Sequence, residues 1–477
     1  MLSKATAKGN ILHAENNAYM KRARRALVKP TVLLVSIIAL SAAAPNWARA
    51  EMTLPDPMSK LTDITSKISK KTNGRLNLSG YFNGHYMNHN GTANLQDSKI
   101  NVIGGHVENL DEPLMQLREF SLFADVLLTD NLIFSSEVEL GDSGRKLRGN
   151  YAYLDFDLSS QFDTDTDKYG NFTVRAGKVL VPFLSYNENK PNFRQNLMSQ
   201  PFTALNISPV NPVPIGYEGF GWSDFGATLN WNKFVGETGI VGLKVTAMNG
   251  LRSSGSNDVY DANSITLQGG PTVRPRDGSI QNGKWDLSDN NDDIATNVKL
   301  SYQSTEWPLE VGGSWYRGKW DDAGNHDLKM YGVYANYLEK DWTLKTEIAK
   351  TKVEQTAGVN PVGGGPALNV STGDYDMFAW YLEGSYIPYR YGSDGEQFVR
   401  LIARYDTVDT NDQAAFTPFD RDRITVGSEW EFLPQVRLRY EFQKHTIHSF
   451  QNAPAPYIAA GGDENIYMNM VSLIGYF

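Results

Sequence analysis

The chain has 477 residues, no cysteine and a formal net charge of −9 at pH 7. The lack of cysteine excludes disulfides, zinc–thiolate centres and cysteine nucleophiles. The acidic balance argues against nucleic acid as a partner. The length allows several ordinary domains or one large all-β unit.

Residues 1–50 have the pattern of a secretory signal peptide. A basic stretch, 21–29, precedes the apolar run 31–44, and the small residues of Ala48-Arg49-Ala50 form a cleavage pattern. The run is short for a membrane-spanning helix, so we expect a cleaved signal peptide, with Met20 as an alternative start. Its removal leaves 37 Lys and Arg against 53 Asp and Glu, a net charge of −16.

Residues 51–74 form a short leader between the signal peptide and the first strand, and we place this leader in the periplasm. Asp56 followed by Pro57 is typical of a helix start. Apolar residues follow at helical spacing, at Met58, Leu61, Ile64 and Ile68. The pattern covers only about two heptads, which favours a flexible leader over a short coiled coil.

From Arg75 to the end of the chain, apolar and polar residues alternate, which is the pattern of β-strands. Phe120, Leu122 and Ala124, for example, alternate with polar neighbours. About sixteen such segments are predicted, at 76–82, 120–126, 132–140, 150–158, 172–182, 223–232, 239–249, 295–304, 308–320, 328–339, 342–354, 375–388, 396–407, 422–431, 435–447 and 465–477.

The connections between these segments alternate between short and long. Short ones lie at 129–131, 305–307, 340–341 and 432–434, and long ones at 89–117, 183–222, 250–294, 355–374 and 449–464. Outer-membrane barrels have short periplasmic turns and longer external loops; only the connection 159–171 is too long for such a turn. We predict an all-β fold in which residues 75–477 form a transmembrane antiparallel β-barrel of about 16 strands with long external loops.

Aromatic residues near strand ends indicate girdles at the two membrane–water interfaces. Tyr and Trp favour this position because one part of the side chain is apolar and the other forms hydrogen bonds. The alternative is an ordinary aromatic core, which would lie nearer the strand centres. The predicted girdle residues are Trp222, Trp231, Trp307, Trp315, Trp320, Trp342, Tyr386, Tyr389, Trp430, Tyr467 and Phe477.

Short motifs give no sign of catalysis or of a metal site. Gly-Asp-Ser-Gly at 141–144 is common turn chemistry, and no histidine has a definable relation to it. The acidic run 163–167 lacks the glycine and glutamate of a calcium loop, since Lys168 and Val174 occupy those positions. His445 lies near a strand end and is expected at the surface. We predict no enzyme activity, no cofactor and no metal.

Cationic residues fall on the face of the strands that alternation turns toward the interior. A charge on the lipid face costs about 2–4 kcal/mol at mid-membrane, so the inward phase is required. This cluster allows two interpretations of equal weight: an anion pathway, or a structural lattice in which Asp406, Glu429 and Glu441 neutralise the arginines. The pore-lining candidates are Arg175, Lys244, Lys299, Lys345, Arg400, Arg404, Arg423, Arg437 and Arg439.

The third long connection, 186–223, contains five prolines, which prevent a regular strand and stiffen the chain. A stiff loop of this length is usually functional. Folded into the barrel, it would be a constriction loop, with Lys190 and Arg194 as candidates for contact with an anion. The alternative is an external cap.

Several of these segments resemble the phosphate-selective porin O and P family of Gram-negative bacteria. They are RAGKVLVPF at 175–183, DFGATLNW at 224–231, VTAMNG at 245–250, VRLIARYD at 399–406 and the run 424–442. The resemblance implies a 16-stranded homotrimeric barrel in the bacterial outer membrane. Its partners would be outer-membrane lipid, lipopolysaccharide and small anionic solutes; related trimeric porins pass dicarboxylates.

The sequence therefore predicts an outer-membrane channel for passive diffusion of small hydrophilic solutes, with a preference for anions such as phosphate or small carboxylates. One alternative is a general or sugar-type porin without anion preference. Another is a barrel enzyme such as an outer-membrane lipid hydrolase, which needs a serine beside a histidine at the outer rim, and no such pair is found. A structural or adhesive barrel requires a plugged interior.

Overall fold

The structure is a computed structural model. It describes residues 57–90, 114–141, 146–189, 195–205, 222–253, 265–266, 272–273, 280–282, 291–321, 324–354, 374–392, 397–409, 412, 421–447 and 464–477. Apart from Pro57, these residues belong to one compact unit, Met58–Phe477. Four predictions lie outside the described residues: the signal peptide at 1–50, the start of the leader at 51–56, most of the turn motif at 141–144, and the loop cations Lys190 and Arg194.

Sixteen strands form one closed antiparallel barrel, and this confirms the predicted fold. The strands are β1 Leu76–Asn90, β2 Leu114–Thr129, β3 Leu132–Gly141, β4 Lys146–Asp157, β5 Asn171–Leu180, β6 Ser223–Val235, β7 Gly239–Met248, β8 Ala295–Ser304, β9 Leu309–Lys319, β10 Asp327–Leu338, β11 Trp342–Val353, β12 Tyr375–Tyr391, β13 Gln397–Asp409, β14 Arg421–Leu433, β15 Val436–Ile447 and β16 Glu464–Tyr476.

The barrel closes where its last strand pairs with its first. Tyr476 lies opposite Tyr81, and the pairing continues to Tyr467 opposite Asn90. Phe477 extends the contact, because its N–H donates to the carbonyl of Gly80 at 2.9 Å and its carbonyl accepts from the N–H of Gly80 at 3.0 Å. Closure of this kind leaves no strand edge without a partner.

Apolar side chains cover the outer face of the barrel. Val333 on β10 is 56% exposed and Leu300 on β8 is 55% exposed, whereas their strand neighbours Tyr334 and Lys299 are buried. Successive side chains of a strand point to opposite faces, so these neighbours face the interior. Other exposed apolar side chains of the outer face are Leu122, Leu154, Leu229, Ile348, Leu382, Leu401, Ile424 and Leu473. An apolar exterior around a polar interior is typical of a barrel surrounded by lipid.

The unusually long connection between β4 and β5 contains two short helices, α2 Leu158–Gln161 and α3 Thr166–Tyr169. Asp157 caps α2 by accepting the N–H of Ser160 at 3.0 Å. Asp165 caps α3 by accepting the N–H of Lys168 at 3.1 Å. Asp and Asn are preferred at such positions because their side chains satisfy free N–H groups at a helix start. The acidic run 163–167 therefore contains a helix cap, Asp165.

Exposed aromatic residues lie beside the short turns, as predicted for one girdle. Trp307 and Trp342 flank the turns before β9 and β11, and Tyr389 lies near the end of β12. The girdle prediction was wrong for Trp222 and Trp320, which are buried in a hydrophobic cluster inside the barrel. Sequence position alone does not distinguish the two cases, because both sets lie at strand ends.

The leader forms helix α1, Pro57–Lys71. The helix ends where Asn73 and Gly74 adopt positive φ values of 53° and 77°, and Gly74 donates to the carbonyl of Ser69 at 2.8 Å. The side chain of Thr62 hydrogen-bonds to Gln435 in the β14–β15 turn at 3.2 Å. Among the residues that the structure describes, no helix is long and apolar enough to cross a membrane.

A hydrophobic cluster fills part of the barrel interior. It joins residues of the β5–β6 connection to inward-facing residues of the wall. The connection contributes Val181, Phe183, Leu184, Phe202 and Trp222, and the wall contributes Met248, Ala295, Tyr316, Leu328, Met330, Tyr334, Ala349, Val353, Ala379 and Val408 among others. Burial of this apolar surface holds the connection inside the barrel.

The β7–β8 connection adds two small pairs of strands outside the barrel sheet. Leu251–Ser253 pairs with Ile280–Asn282, and Ile265–Thr266 pairs with Thr272–Val273. Leu251 belongs to the interior hydrophobic cluster, so this long connection contributes to the same core.

Candidate functional site

The connection between β5 and β6, here called the inward loop, returns into the barrel. Its described residues are 181–189, 195–205 and 222. The N–H of Leu184 donates to Ser314 Oγ on β9 at 2.9 Å. Further along, the N–H of Phe202 donates to Asp406 Oδ1 on β13 at 3.3 Å. The described part of the inward loop therefore crosses the interior against the wall, and the alternative of an external cap is wrong for these residues.

Carboxylates on the inner wall bind the backbone of the inward loop. Glu347 on β11 accepts the N–H groups of Ser185 and Tyr186 at 2.9 and 2.8 Å. The same carboxylate accepts the hydroxyl of Thr203 at 2.8 Å. Hydrogen bonds of this kind stabilise a buried carboxylate without a neighbouring cation. Glu347 thereby joins the beginning and the end of the inward loop to one point on the wall.

Two further wall carboxylates bind the middle of the inward loop. Glu383 on β12 accepts the amide of Asn196 at 2.8 Å. Glu441 on β15 accepts the N–H of Met198 at 2.8 Å and also binds Ser199. The loop is thus fixed to β9, β11, β12, β13 and β15 by polar contacts as well as by the hydrophobic cluster.

The five arginines predicted on β13, β14 and β15 come together with five carboxylates, and we call this set the arginine lattice. Its members are Arg400, Arg404, Arg423, Arg437 and Arg439 with Glu383, Asp406, Glu429 and Glu431, which pair with arginines directly, and Glu441, which shares the hydroxyl of Ser199 with Arg404. Five positive and five negative side chains give the lattice a formal charge of zero.

One half of the lattice is centred on Asp406. Arg404 Nε donates to this carboxylate at 2.9 Å, and Arg423 Nη2 donates at 3.0 Å. Both guanidinium groups also donate to carbonyls of the inward loop, Arg404 to Ser199 at 2.9 Å and Arg423 to Gln200 at 2.6 Å. All three side chains are buried, so they hold the loop to the wall.

The other half of the lattice is centred on Glu429. Arg400 Nη1 binds Glu429 Oε1 at 2.8 Å, and Arg439 Nε binds its other oxygen. Arg437 Nε binds Glu431 at 2.9 Å. Arg400 also donates to the side chain of Asn196 in the inward loop at 3.0 Å. These contacts favour the lattice interpretation for the five arginines.

Two of the three predicted lysines and the remaining arginine belong to a second group, the mixed-charge cluster, defined as Asp155, Arg175, Glu188, Lys244 and Lys299. Arg175 forms a bidentate pair with Asp155, with both N–O distances 2.8 Å. Its guanidinium group stacks over the ring of Tyr153, 4.0 Å from the ring centroid. Three cations and two carboxylates give this cluster a formal surplus of one positive charge.

Glu188, on a short 3₁₀ helix of the inward loop, Tyr186–Asn189, lies between two lysines of the wall. Lys244 on β7 binds one carboxylate oxygen and Lys299 on β8 binds the other, the latter at 2.6 Å. Burial alone would raise the pKa of Glu188, but the two ammonium groups outweigh this effect and lower the pKa to about 2. The carboxylate is therefore ionised at neutral pH.

Parts of the mixed-charge cluster are exposed to solvent inside the barrel. The side chains of Arg175 and Lys244 are each 31% exposed, although alternation turns them inward. By contrast, the Arg404 side chain in the lattice is fully buried. Solvent therefore reaches the interior beside β5 and β7.

Lys345 on β11 is a separate case. It shares the inward phase of Glu347 and lies opposite Glu383 in the strand register, but within the described part of the chain it forms no ion pair. It is half-buried. Lys345 is thus an inward-facing cation whose charge is not bound to a carboxylate of the described wall.

His445 differs from its prediction. It is 1% exposed, and its Nε2 atom lies 2.7 Å from Gln443 Oε1. The expectation of a surface position was wrong, because His445 faces the interior, where its ring lies 6.5 Å from the ring of Phe202. Among the described residues, no group of three or more His, Asp or Glu is placed to hold a metal ion.

Sequence reasoning missed three residues that position the inward loop: Glu188, Glu347 and Glu383. A signal was available for two of them, since Glu347 and Glu383 occupy the inward phase of strands whose outward phase is apolar. Glu347 accepts a backbone N–H of the loop and Glu383 accepts the side-chain amide of Asn196, and these contacts join residues over 150 apart in sequence, which alternation does not reveal.

No model of a known protein family matches the chain, and no curated protein sequence matches it significantly. Similar solved structures include the outer-membrane channel DcaP of Acinetobacter baumannii, with 13% identity over 84% of this chain and 97% of that chain and a TM-score of 0.48. The anion-selective porin from Comamonas acidovorans has 13% identity over 84% and 99% of the two chains, with a TM-score of 0.46. Salmonella typhi OmpF in complex with daunomycin has 9% identity over 84% and 97%, with a TM-score of 0.46. The resemblance to the phosphate-selective porins stays a prediction.

Proposed function

We propose that the chain forms a passive diffusion channel for small hydrophilic solutes in the bacterial outer membrane, with a preference for small anions. The observation that carries this proposal is the solvent-exposed charge inside a closed barrel whose outer face is apolar. Arg175 and Lys244 face the interior and are each 31% exposed, which requires a hydrated space. No bond is made or broken in such transport, so no catalytic residue is needed.

The proposed anion preference rests on the mixed-charge cluster. The arginine lattice is formally neutral and its central residues are buried, so it contributes little to the field met by a solute. The mixed-charge cluster carries one surplus positive charge. At about 4 Å and an effective dielectric constant of about 20, one such charge attracts a monovalent anion by about 4 kcal/mol, which offsets part of the cost of dehydrating it. Lys345 adds a further inward cation.

Phosphate and small carboxylates are the proposed solutes, because both present oxygen atoms that ammonium and guanidinium groups bind. The loop residues Lys190 and Arg194 stay candidates for contact with these anions. A second function, a general or sugar-type porin, is favoured by one observation: the neutral charge of the arginine lattice. The two functions differ in the sign and size of ion selectivity.

We extend the proposal to the precursor and its surroundings. Residues 1–50 would be removed as a signal peptide, and the leader with α1 would lie in the periplasm. Outer-membrane lipid and lipopolysaccharide would contact the apolar outer face. The resemblance to trimeric porins supports a homotrimer.

Planar-bilayer recording tests the channel directly. The purified protein, folded in detergent, should produce stepwise increases of current in potassium chloride, since a hydrated interior conducts ions. Protein unfolded by heating before addition is the matched control and should produce none. Stable insertion of folded protein without any step in current would refute the channel.

A further inference from the structure

The carboxylate of Glu188 is held by cations alone. Each of its oxygens binds one ammonium group, that of Lys244 or that of Lys299. No other hydrogen bond to this carboxylate occurs among the described residues. The side chain is 21% exposed, so solvent reaches it. A small anion with two oxygens would meet the same two ammonium groups if the Glu188 side chain moved aside.

Some contacts of the two lysines do not involve Glu188. Lys299 Nζ also donates to the carbonyl of Leu184 at 2.8 Å and lies 4.8 Å from the centroid of the Tyr334 ring. Lys244 lies opposite Lys299 in the register of β7 and β8. The strand register therefore places the two lysines side by side on the wall, and the carbonyl of Leu184 holds Lys299 Nζ in place without Glu188.

A different residue attaches the same stretch of loop to the wall. Glu347 binds the N–H groups of Ser185 and Tyr186, and the N–H of Leu184 donates to Ser314. The loop stretch preceding Glu188 thus has anchors on the wall besides the bond from Lys299 to the carbonyl of Leu184. These anchors do not involve the Glu188 carboxylate, which leaves another role for its contact with the two ammonium groups.

We propose that Lys244 and Lys299 form an oxyanion-binding site in the channel and that Glu188 occupies it as a built-in competitor. This inference rests on the proposed channel function and deepens it. The ligand class is a small anion with at least two terminal oxygens, such as phosphate or a carboxylate. A passing anion displaces the Glu188 carboxylate, binds one ammonium group with each oxygen, and is released when the carboxylate returns. Binding stays weak enough for transport because the competitor is tethered beside the site.

The test measures how strongly phosphate and acetate block chloride current through single channels. In Glu188→Gln the competing charge is gone, so the concentration of either anion that halves the current should fall about fivefold, the factor that corresponds to a partly exposed ion pair. Adding Lys244→Met to this variant should return the concentration to the unmodified value or above. A lower blocking concentration for phosphate but not for acetate would restrict the ligand class to tetrahedral anions. It would overturn the proposal of one site that binds both phosphate and carboxylates.

Two controls separate this site from general effects. Glu347→Gln weakens the loop anchor without removing a hydrogen-bond partner of either lysine, and Asp155→Asn releases Arg175, another cation of the same mixed-charge cluster. Neither should change the blocking concentration by as much as Glu188→Gln. If the blocking concentration falls equally in Glu347→Gln, the effect is due to loop mobility. If it falls equally in Asp155→Asn, the effect is due to overall charge. Either result overturns the proposal.

Folding of each variant is checked by its mobility on unheated gels, where a folded barrel migrates faster than the unfolded chain. The outcomes for the two proposals differ. A folded, unmodified protein that never conducts refutes the channel itself. The second outcome is an unmodified protein that conducts and a folded Glu188→Gln variant that phosphate and acetate block at unchanged concentrations. This outcome refutes only the oxyanion site.

Discussion

Inward-facing cations of this barrel occupy two different environments. Arg404 and Arg423 are buried, share Asp406 and donate to loop carbonyls. Arg175 and Lys244 are partly exposed and bind one carboxylate each. Burial of an ion pair removes both charges from solvent at a large desolvation cost. We therefore infer that Arg404 and Arg423 attach the inward loop to the wall. In the proposed channel, the partly exposed cations would act electrostatically on a passing solute.

The charge of Glu188 gives a prediction about pH. Its pKa is lowered to about 2 from an ordinary value of 4.5. A carboxyl group with a lowered pKa stabilises the folded state above its unfolded pKa, and this contribution is lost as the pH falls from about 4.5 to about 2. The competitor therefore stays charged throughout the neutral range and is neutralised only in strong acid.

Block by sulfate, which keeps its charge over this range, measures the effect. We expect the difference in sulfate block between unmodified protein and Glu188→Gln to be constant from about pH 8 to pH 5. It should begin to shrink only below about pH 3, as the pH approaches the lowered pKa of Glu188, because the protonated carboxyl then resembles glutamine. A difference that disappears near neutral pH would show that Glu188 is not held by the two ammonium groups.

At the scale of elements, the inward loop depends on wall residues from several strands. Glu347 on β11, Asp406 on β13 and Glu441 on β15 each accept an N–H of the loop. Asp406 also neutralises two buried arginines. The loop and the wall therefore form one polar framework, in which the loss of a single carboxylate affects both.

Replacing Asp406 by asparagine tests this framework. The change leaves Arg404 and Arg423 without their shared carboxylate, and an uncompensated buried charge costs several kcal/mol. We expect the free energy of unfolding to fall by about 3 kcal/mol, measured by urea unfolding followed through tryptophan emission.

The matched control is Asp63→Asn on α1, where the ion pair with Lys67 is mostly exposed. This change should alter the free energy of unfolding by less than about 1 kcal/mol. Equal effects in both variants would mean that the buried contacts of Asp406 add nothing to the stability of the barrel.

The sequence predicts the strands of this barrel well, because alternation is local. The strand predicted at 172–182 is found at Asn171–Leu180, and that predicted at 435–447 is found at Val436–Ile447. Alternation also gives the inward phase of Arg404 and Arg439 correctly, since both are buried against the loop. What it cannot give is the partner of an inward residue, because that depends on how a distant loop folds.

Trp222, His445 and Glu188 show this limit. Trp222 lies at a strand end, as a girdle residue would, yet packs on Tyr316 with ring centroids 5.0 Å apart. His445 is near the end of its strand, yet it is buried inside the barrel. Glu188 lies in a loop without any pattern. The environment of each residue depends on how the inward loop folds back into the barrel, and this is set by tertiary contacts.

At the scale of the whole molecule, the barrel has an apolar outer face and an interior divided into two parts. The inward loop, the hydrophobic cluster and the arginine lattice lie against the wall from β7 to β15. The solvent-exposed members of the mixed-charge cluster lie on β4, β5 and β7, with Glu188 on the facing loop. In the proposed channel, a solute would pass beside the exposed wall side chains Asp155, Arg175 and Lys244, which together carry one surplus positive charge.

Reversal potential in a gradient of potassium chloride tests this central claim most directly. The unmodified protein is inserted into a planar bilayer, and the voltage of zero current is recorded across the gradient. We predict a voltage displaced toward the equilibrium potential of chloride, because the wall residues of the mixed-charge cluster, three cations and one carboxylate, carry a positive surplus. A voltage displaced toward the equilibrium potential of potassium would contradict the account.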